Sequence, residues 1–397
     1  MPRECKRGFI NQYIDYTKPQ QSPTLFHTWT AISTVASVLR RRVWIDRGYY
    51  TLYPNLYMIL VSASGVGMKS TAIKIATEGL LPKAIPDLTI MRGKLTMKYL
   101  VDWMAQAQNK NPDKYAEVTI FCSEFKVFAR GAYADSGLIE DLTHLYDNGP
   151  YEYRTGGQGV YIVEKPCINL IAASTPEWLT TGSAADFIGG GFSSRIVPVA
   201  LLKDEKLISW PEKTQVEKDL EGGLIGDLAT IGKLSGSFLV TQDAKDYFDH
   251  WYKNKEKYQQ SDDRMKGYYS KKHDLILKVA MSLSASLSDD LVITDDHIES
   301  AMSLLGKMEL NIPFAFQGVA WGEQAKFQDK VLTTIKTAGE IAHSDLLRKF
   351  HYCMSGGDLK IIIQTLCDED VITYERKSVG GKVKLIYTYK GDKNGKS

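Results

Sequence analysis

The stretch that most constrains the fold of this chain is LYMILVSASGVGMKSTAIKIA, residues 56–76. An apolar run rich in β-forming residues is followed by small residues and glycines, then by Lys-Ser-Thr and a segment with helical spacing. A strand, a glycine-rich loop and a helix in this order are typical of a phosphate-binding loop, in which N–H groups at the helix start bind the anion. The spacing departs from the consensus by one residue, because Met68 precedes Lys69 and Ala63 stands five positions before Met68. The alternative is a glycine-rich turn with an incidental lysine.

If the loop binds a nucleotide, the chemistry of its residues predicts their roles. Lys69 is expected to place its ammonium against the β- and γ-phosphates of ATP, while Ser70 or Thr71 offers a hydroxyl to Mg²⁺. Gly65 and Gly67 allow the backbone to approach the phosphates closely. The predicted nucleotide-binding residues are Ser64, Gly65, Val66, Gly67, Met68, Lys69, Ser70 and Thr71.

Composition limits the class of protein that carries this loop. A chain of 397 residues, 44% hydrophobic and 24% charged, is typical of a globular protein with two or three structural units. The formal net charge of +2 excludes an overall polybasic chain, so any basic surface has to be local. Five scattered cysteines without a C-x-x-C pair argue against a zinc ribbon and a disulfide framework. With no run of about 18 apolar residues and no signal-peptide core, we expect a cytoplasmic protein without a membrane segment.

Strand and helix patterns alternate from Pro54 onward. This alternation predicts an α/β fold in which a mostly parallel sheet is covered by helices. The segment at 151–166 has two β-rich arms and a glycine-rich tip, which is typical of a hairpin. The predicted strands cover 56–62, 117–122 and 167–173, and the predicted helices cover 69–79, 96–107 and 135–147.

The regions on either side of this core have other patterns. Two helices are predicted within 6–40, followed by a β-hairpin at 42–53 that turns at Arg47-Gly48. Near the C-terminus, three helices precede a hairpin with a Gly-Gly turn, which is the order of a winged helix. We therefore divide the chain into an N-terminal helical element with a hairpin, a P-loop ATPase core, a helical lid-like region and a winged-helix domain, at 1–53, 54–212, 213–322 and 323–397.

Polar residues follow the other two predicted strands of the core. Glu124 is expected to polarise the attacking water, and Ser123 stands where an aspartate usually holds the metal. Ser174 or Thr175 is expected to position that water at the next strand end. Arg195 follows a glycine run and is expected to stabilise charge on the γ-phosphate of a neighbouring subunit. Taken singly, Glu124 is better explained as a surface carboxylate at a strand end and Arg195 as a paired surface arginine. The ordered series of loop lysine, strand-end glutamate, strand-end hydroxyl and arginine favours the catalytic interpretation.

Several of these segments resemble one family. IFCSEF resembles the Walker B stretch of MCM-type AAA+ helicases, IAASTP resembles their sensor 1 strand, and SSRI resembles their arginine finger. The segment between Glu124 and Ser174 lies where that family carries its pre-sensor 1 DNA-binding hairpin. YPNLYMILVSASG and KKHDLILKVAMSLS are similar to helicase-like ATPases of phages and other mobile elements. The resemblance covers roughly residues 20–310.

The resemblance implies an AAA+-type ATPase that forms a hexameric ring, with ATP at the subunit interfaces and Arg195 acting in trans. Such a ring is expected to unwind DNA during replication of a phage or mobile element. Primer synthesis would come from a separate primase, because no polymerase or primase constellation is evident in the sequence. Two alternatives stay open. One is a nucleotide-dependent replication initiator or helicase loader without processive unwinding, and the other is a catalytically inactive structural ATPase.

DNA contacts are predicted at two places, with protein–protein packing as the alternative at each. Aromatic and basic residues on the core hairpin suit a single strand: Tyr153, Arg154 and Lys165. Basic residues beside the tip of the C-terminal hairpin suit duplex phosphates: Arg376, Lys377, Lys382 and Lys384. A third basic run begins a helix and is a candidate for a lid-borne contact with the γ-phosphate, or else a solvated cluster: Lys271, Lys272 and His273.

Overall fold

The chain forms two compact units, Met1–Phe316 and Gln317–Ser397, each with its own hydrophobic core. The further division of the first unit into three parts stays a prediction. In the computed structural model the described residues are 8–126, 128, 138–155, 159–176, 191–203, 206–258, 266–312, 327–328, 330–351, 354–368, 371–379 and 382–390.

Helices and strands alternate along the first unit. Its described helices are α1 Phe9–Thr17, α2 Thr24–Leu39, α3 Lys69–Lys74, α4 Leu81–Ala84, α5 Met97–Lys110, α6 Leu138–Tyr146, α7 Gln215–Ile231, α8 Gln242–Lys253, α9 Lys266–Leu287 and α10 Asp295–Glu309. Its described strands are β1 Val43–Asp46, β2 Thr51–Leu52, β3 Tyr57–Val61, β4 Ile90–Arg92, β5 Tyr115–Cys122, β6 Tyr151–Thr155, β7 Gly159–Val163, β8 Lys165–Ser174, β9 Ile196–Ala200, β10 Gly236–Ser237, β11 Leu239–Val240 and β12 Val292–Ile293. Among the described residues, no helix is long and apolar enough to cross a bilayer.

The centre of the first unit is a five-stranded sheet in the order β4-β5-β8-β3-β9, and every pairing in it is parallel. This confirms the predicted α/β class with a mostly parallel sheet. Strands β3 and β8 are buried almost throughout, because a central parallel strand is covered on both faces. The sequence analysis does not predict β4 or β9. The first is only three residues long, and the second contains Pro198, which is tolerated at a sheet edge.

Helix α2 passes through the core and is buried on nearly all sides. Small hydroxyl residues interrupt its apolar sequence, and the buried Thr34 and Ser37 both donate within the helix. Thr34 donates to the Thr30 carbonyl at 2.7 Å and Ser37 donates to the Ser33 carbonyl at 2.8 Å, so these polar groups are satisfied inside the core. The helix packs against α1, α3, α9 and β8. The N-terminal helices therefore belong to the same core as the sheet.

Two of the three arginines after α2 anchor the end of that helix to the sheet. The Arg40 guanidinium donates to the two carboxylate oxygens of Asp87 at 3.1 and 3.3 Å and lies 3.6 Å from Glu117 of β5. Arg41 donates to the Asn148 carbonyl at 2.6 Å. The basic run is thus explained by contacts within the chain.

The predicted N-terminal hairpin is present, because β1 and β2 pair in antiparallel orientation. Its turn is closed by a hydrogen bond from the Arg47 N–H to the Tyr50 carbonyl at 3.0 Å. Strand β1 also pairs in parallel with β10, which places Val43 opposite Gly236. Helices α7 to α10 confirm the predicted helical region, and β11 and β12 form a short parallel pair within it.

The second unit combines helices with a three-stranded antiparallel sheet. Along the chain its described elements are α11 (330–338), β13 Glu340–Ala342, α12 His343–Phe350, α13 Gly356–Asp368, β14 Ile372–Val379 and β15 Lys382–Tyr389. The sheet order is β13-β15-β14. The three helices and the final hairpin follow the predicted order, although β13 is not predicted and the turn at 380–381 lies outside the described residues. The assignment of this unit to the winged-helix class stays a prediction.

Candidate functional site

Three loops meet at the carboxyl edge of the parallel sheet. Strand β8 lies between β3 and β5, with Ser174 opposite Val61 of β3 and Ala172 opposite Cys122 of β5. Because parallel strands end at the same edge, the loops that follow these three strands converge. They line a cavity of about 460 Å³.

This cavity brings together most of the residues that the sequence predicts for nucleotide binding and catalysis. The predicted residues in its wall are Ser64, Gly65, Val66, Met68, Lys69, Ser70, Thr71, Ser123, Glu124, Ser174 and Thr175. Phe125, Lys126 and Ala173 also line it and are not predicted. Gly67 and Arg195 are predicted but lie outside its wall.

The loop after β3 has three left-handed residues. Gly65 has φ 80° and Gly67 has φ 75°, and Met68 has φ 46° and ψ 42°. Counted from Ala63, the loop has the consensus length, and Met68 adopts a conformation usually left to glycine. The spacing therefore matches the consensus, with Ala63 and Met68 in place of its two glycines, and the predicted departure of the spacing by one residue is wrong.

Gly67 faces the core instead of the cavity. A Cβ at this position would lie 2.7 Å from Phe26 Cε2 and 2.8 Å from Leu201 Cδ2. The glycine lets the loop lie directly on α2 and on the residue after β9, which fixes the loop relative to the sheet.

Lys69 points back onto its own loop. Its Nζ donates to the Ser62 carbonyl and hydroxyl, both at 2.8 Å, and to the Ala63 carbonyl at 3.0 Å. The Ser62 hydroxyl in turn donates to the Val66 carbonyl at 2.7 Å. A phosphate in the cavity would compete with these oxygens for the ammonium. The sequence analysis misses Ser62, whose only signal is a hydroxyl at the junction between strand and loop.

The helix after the loop is suited to an anion. Met68 is its N-cap and makes no side-chain hydrogen bond to the first turn, whose N–H groups lie at the positive end of the helix. Helix α3 continues through a π-helical segment, Ile75–Leu80, into α4. The chain is therefore helical from 69 to 84, longer than the predicted 69–79.

The two other loops supply carboxylate and hydroxyl groups. Glu124 and Ser123 are exposed directly after β5. Phe125 is buried, with its ring stacked on Phe192 at a centroid distance of 6.1 Å, and it anchors the backbone beside Glu124. On the neighbouring strand the buried Ser174 hydroxyl donates to the carbonyl of the next residue at 3.4 Å. The cavity wall thus holds an ammonium, a carboxylate and several hydroxyls.

Arg195 lies at the amino ends of the parallel strands, opposite the carboxyl ends that form the cavity. It immediately precedes β9, and Ile196 is opposite Tyr57, the first residue of β3. Lys69 lies beyond the last residue of β3. A strand of this length spans about 13 Å, so Arg195 and the cavity belong to opposite ends of the sheet.

The Arg195 side chain is oriented by contacts within its own chain. Its Nη2 donates to Asp147 at 2.5 Å and its Nη1 donates to the Gly191 carbonyl at 2.9 Å. These contacts hold the guanidinium at the amino edge of the sheet.

The predicted core hairpin is present as the antiparallel pair β6–β7, with the turn at 156–158 outside the described residues. Tyr153 and Tyr161 pack on the core of the first unit. The Tyr153 ring is therefore used for packing within the chain. Arg154 lies on the outer face, with its Nη2 2.9 Å from Glu152 of the same strand. Arg154 is the predicted hairpin residue that remains well exposed.

Lys165 lies elsewhere than predicted. It is the first residue of β8, opposite Tyr115 of β5, and the hairpin ends earlier at Val163. Its Nζ donates to the Asp113 carbonyl at 2.9 Å and lies 5.3 Å from the centroid of the Tyr115 ring. The prediction that it lies on the hairpin is wrong, because the chain passes at once from β7 into the central sheet.

The basic run near the start of α9 does not line the cavity at the carboxyl ends of the strands. Lys272 forms a buried ion pair with Glu309 of α10 at 2.7 Å, and Tyr268 donates to the same carboxylate at 2.8 Å. Lys271 and His273 line a separate cavity of about 350 Å³. The predicted contact with the γ-phosphate is therefore not made within one chain, and Lys272 has a structural partner that the sequence pattern does not indicate.

The basic residues of the C-terminal hairpin differ in their surroundings. Lys377 lies 2.7 Å from Glu340 and 3.2 Å from a second carboxylate, so its charge is already engaged. Lys384 is opposite Lys377 on the same face, and Arg376 is exposed on the other face. The Lys382 side chain lies outside the described residues.

A scan against protein-family models gives no match for this chain, and a search of curated proteins finds no significantly similar sequence.

Proposed function

We propose that this chain is an ATPase of the AAA+ helicase type. The observation that carries the proposal is the cavity of about 460 Å³ in which the ends of three adjacent parallel strands place Lys69, Glu124 and Ser174. Its size is within the range of about 300–1,000 Å³ that is usual for ligand pockets. A position at the carboxyl edge of an open parallel sheet is also where such folds bind nucleotides.

Each group has a role in phosphoryl transfer. The Lys69 ammonium exchanges its hydrogen bonds to the loop carbonyls for contacts with the β- and γ-phosphates. N–H groups at the start of α3 bind the same phosphates. Glu124 accepts a proton from the attacking water, and Ser174 or Thr175 orients that water. The oxygen donors of Ser70, Thr71 and Ser123 are of the kind that Mg²⁺ prefers, and the ion would offset negative charge on the phosphates.

The position of Arg195 supports an assembly with shared sites. The residue is held at the amino edge of the sheet, away from the cavity of its own chain, and so is suited to a neighbouring subunit's nucleotide. Near the cavity, Leu201 contacts the loop at Gly67, and the following segment exposes large apolar side chains. Leu207 is 84% exposed and Trp210 is 80% exposed, as expected for a surface covered in a homo-oligomer. A hexameric ring is the form that the proposed class takes.

DNA is the proposed partner. The outer face of the β6–β7 hairpin, with Arg154, would contact a single strand in the ring. The second unit, as a winged helix, would contact duplex DNA through Arg376, Lys384 and Lys382. Sequential hydrolysis around the ring would then unwind DNA during replication of a phage or mobile element, with primers made by another protein.

Steady-state ATP hydrolysis with and without single-stranded DNA tests the proposal. Lys69→Ala is expected to abolish hydrolysis, and Glu124→Gln is expected to reduce it by about 10²–10⁴-fold while nucleotide still binds. Lys74→Ala and Glu78→Gln, exposed positions on the same helical segment, are the matched controls and should keep wild-type activity.

The outcomes separate the candidate functions. Strong stimulation by DNA that is lost in both site variants supports the motor. Slow ATP hydrolysis that DNA does not stimulate but that requires Lys69 favours the initiator or loader. If the wild type and Lys69→Ala are equally inactive and neither binds nucleotide, the ATPase proposal is overturned.

A further inference from the structure

A tyrosine stands fully exposed at the turn of the β1–β2 hairpin. Tyr49 has a relative exposure of 104%. The turn that carries it is well defined: the Gly48 N–H donates to Asp46 Oδ1 at 2.8 Å, and the Arg47 N–H donates to the Tyr50 carbonyl. A large aromatic ring with none of its surface buried, carried by a turn that two hydrogen bonds close, can be reached from solvent on both faces.

The base of this turn is fixed to the helices beneath it. Tyr50 donates to Asp274 of α9 at 3.2 Å. The Arg47 guanidinium lies 5.4 Å from the ring centroid of Phe248 of α8 and 5.9 Å from that of Tyr50. The position of Tyr49 relative to α8 and α9 is therefore set by two anchors.

Aromatic and basic side chains continue across α8. Tyr252 is 39% exposed and stacks on Phe248 at a centroid distance of 6.2 Å. Lys255 Nζ lies 4.3 Å from the centroid of the Tyr252 ring, and His273 meets the same ring edge-on at 5.5 Å. Lys271 lies on α9, one turn before Asp274. We define six residues as the tyrosine platform, of which the two lysines are half-buried and the other four exposed: Arg47, Tyr49, Tyr50, Tyr252, Lys255 and Lys271.

Two carboxylates beside the platform are engaged within the chain. Asp46 accepts the turn N–H, and Asp274 accepts from Tyr50 and lies 3.9 Å from Lys271. The cavity of about 350 Å³ lies beside the platform, because Tyr50 and Lys271 line it as well. The platform thus offers one fully exposed ring at Tyr49, partly exposed rings at Tyr50 and Tyr252, several cations and an adjacent recess.

We propose that the tyrosine platform binds single-stranded nucleic acid. Bases stack on Tyr49 and Tyr252, and phosphates contact Arg47, Lys255 and Lys271, which is the combination by which proteins hold single strands without reading their sequence. Duplex DNA is not expected to bind this surface, because its bases are already stacked on one another and cannot stack on a tyrosine ring. The site is separate from the β6–β7 hairpin and requires no nucleotide, so it goes beyond the proposed ATPase activity.

The test is binding of a fluorescently labelled oligo-dT to the full chain without nucleotide, followed by anisotropy. Tyr49→Ala and Tyr252→Ala are each expected to weaken binding by about 5- to 100-fold, the usual effect of losing one stacked base. Tyr99→Ala on α5 is the control, since Tyr99 is also well exposed at 57%. Lys255→Gln is expected to reduce the slope of log Kd against log salt by about 0.7, and Lys110→Gln on α5 is expected to leave it unchanged.

Photocrosslinking with 5-iodouracil in the same oligonucleotide locates the contact, with crosslinks expected at Tyr49 or Tyr252. Oligo-rU is expected to bind with the same dependence on Tyr49, because stacking does not read the sugar. The proposal would be overturned if oligo-dT binding were unchanged in both tyrosine variants. It would also be overturned if a duplex bound as strongly as oligo-dT and both tyrosine variants weakened duplex binding equally. Lys69→Ala is expected to bind the strand normally, so failure of the ATPase proposal and failure of the platform are told apart.

Discussion

At the scale of single residues, the most informative position is Met68. A non-glycine residue in the left-handed region lowers the free energy of unfolding by about 1–2 kcal/mol through strain in the folded chain. Glycine avoids that strain, but its greater freedom in the unfolded chain lowers the free energy of unfolding by about 0.5–1 kcal/mol. Met68→Gly is therefore expected to raise the free energy of unfolding by up to about 1 kcal/mol, as measured by urea denaturation. The Met68 side chain is 43% exposed, so little packing is lost.

Gly67→Ala is the matched opposite of this change. It adds a Cβ at φ 75° and within 2.7 Å of Phe26 Cε2, so we expect destabilisation by about 1–3 kcal/mol or more. If Met68→Gly destabilises the chain as strongly as Gly67→Ala, the methionine side chain has a packing role and the strain argument is wrong.

At the scale of elements, a buried lysine joins α9 to the segment before β3. Lys278 Nζ donates to Asn55 Oδ1 at 2.6 Å and to the Asn55 carbonyl at 3.0 Å, and it lies 4.2 Å from the centroid of the Tyr146 ring. Burial is the main cause that lowers the pKa of Lys278 to about 7. The amine is therefore largely uncharged above neutral pH in the folded chain.

This lowered pKa makes stability depend on pH in one direction. Between pH 7 and 10.5, the unfolded chain binds a proton at Lys278 that the folded chain does not bind. The free energy of unfolding therefore rises with pH across that window through this group, and the cost of burying the amine is largest at and below pH 7.

Lys278→Met removes the titrating amine and leaves an unbranched side chain that is one heavy atom shorter. Near pH 9 the variant is expected to be less stable than wild type by about 1–3 kcal/mol, because the acceptors of Asn55 lose their donor. At pH 7 that deficit should shrink or reverse. Urea unfolding of both proteins at the two pH values measures the difference, and Lys245→Met, an exposed position on α8, should show no such change. A deficit that is the same at both pH values would show that the buried amine does not titrate in this window.

At the scale of the whole molecule, the positions of Lys69 and Arg195 at opposite edges of the sheet predict complementation between subunits. Lys69→Ala and Arg195→Ala are each expected to be inactive alone. When the two are mixed, an Arg195→Ala subunit supplies an intact loop beside a Lys69→Ala subunit that supplies the arginine, so part of the ATP hydrolysis should return.

Size-exclusion chromatography with light scattering provides the control for this mixing experiment, because both variants have to assemble as the wild type does. If the variants form mixed assemblies and no activity returns, Arg195 does not act on a neighbouring site.

The elements whose signals are local can be predicted from the amino-acid sequence alone. The β-rich run, the glycines and the helical spacing of residues 56–76 specify strand, loop and helix without reference to the rest of the chain. The sequence also indicated that Lys69, Glu124 and Ser174 lie near each other, because each follows a strand and parallel strands end at one edge. The Gly-Gly turn between two β-rich runs likewise predicted the C-terminal hairpin.

The folded structure was needed to show which partner each residue has. It put β8 between β3 and β5, bound Lys272 to Glu309 on another helix, and placed Lys165 in the central sheet instead of the hairpin. It also showed that Met68 itself takes the left-handed conformation before the lysine. The physical reason is that periodicity and turn chemistry act over a few neighbouring residues, whereas ion pairs, strand order and backbone strain depend on segments that are distant in sequence and meet only in the packed core.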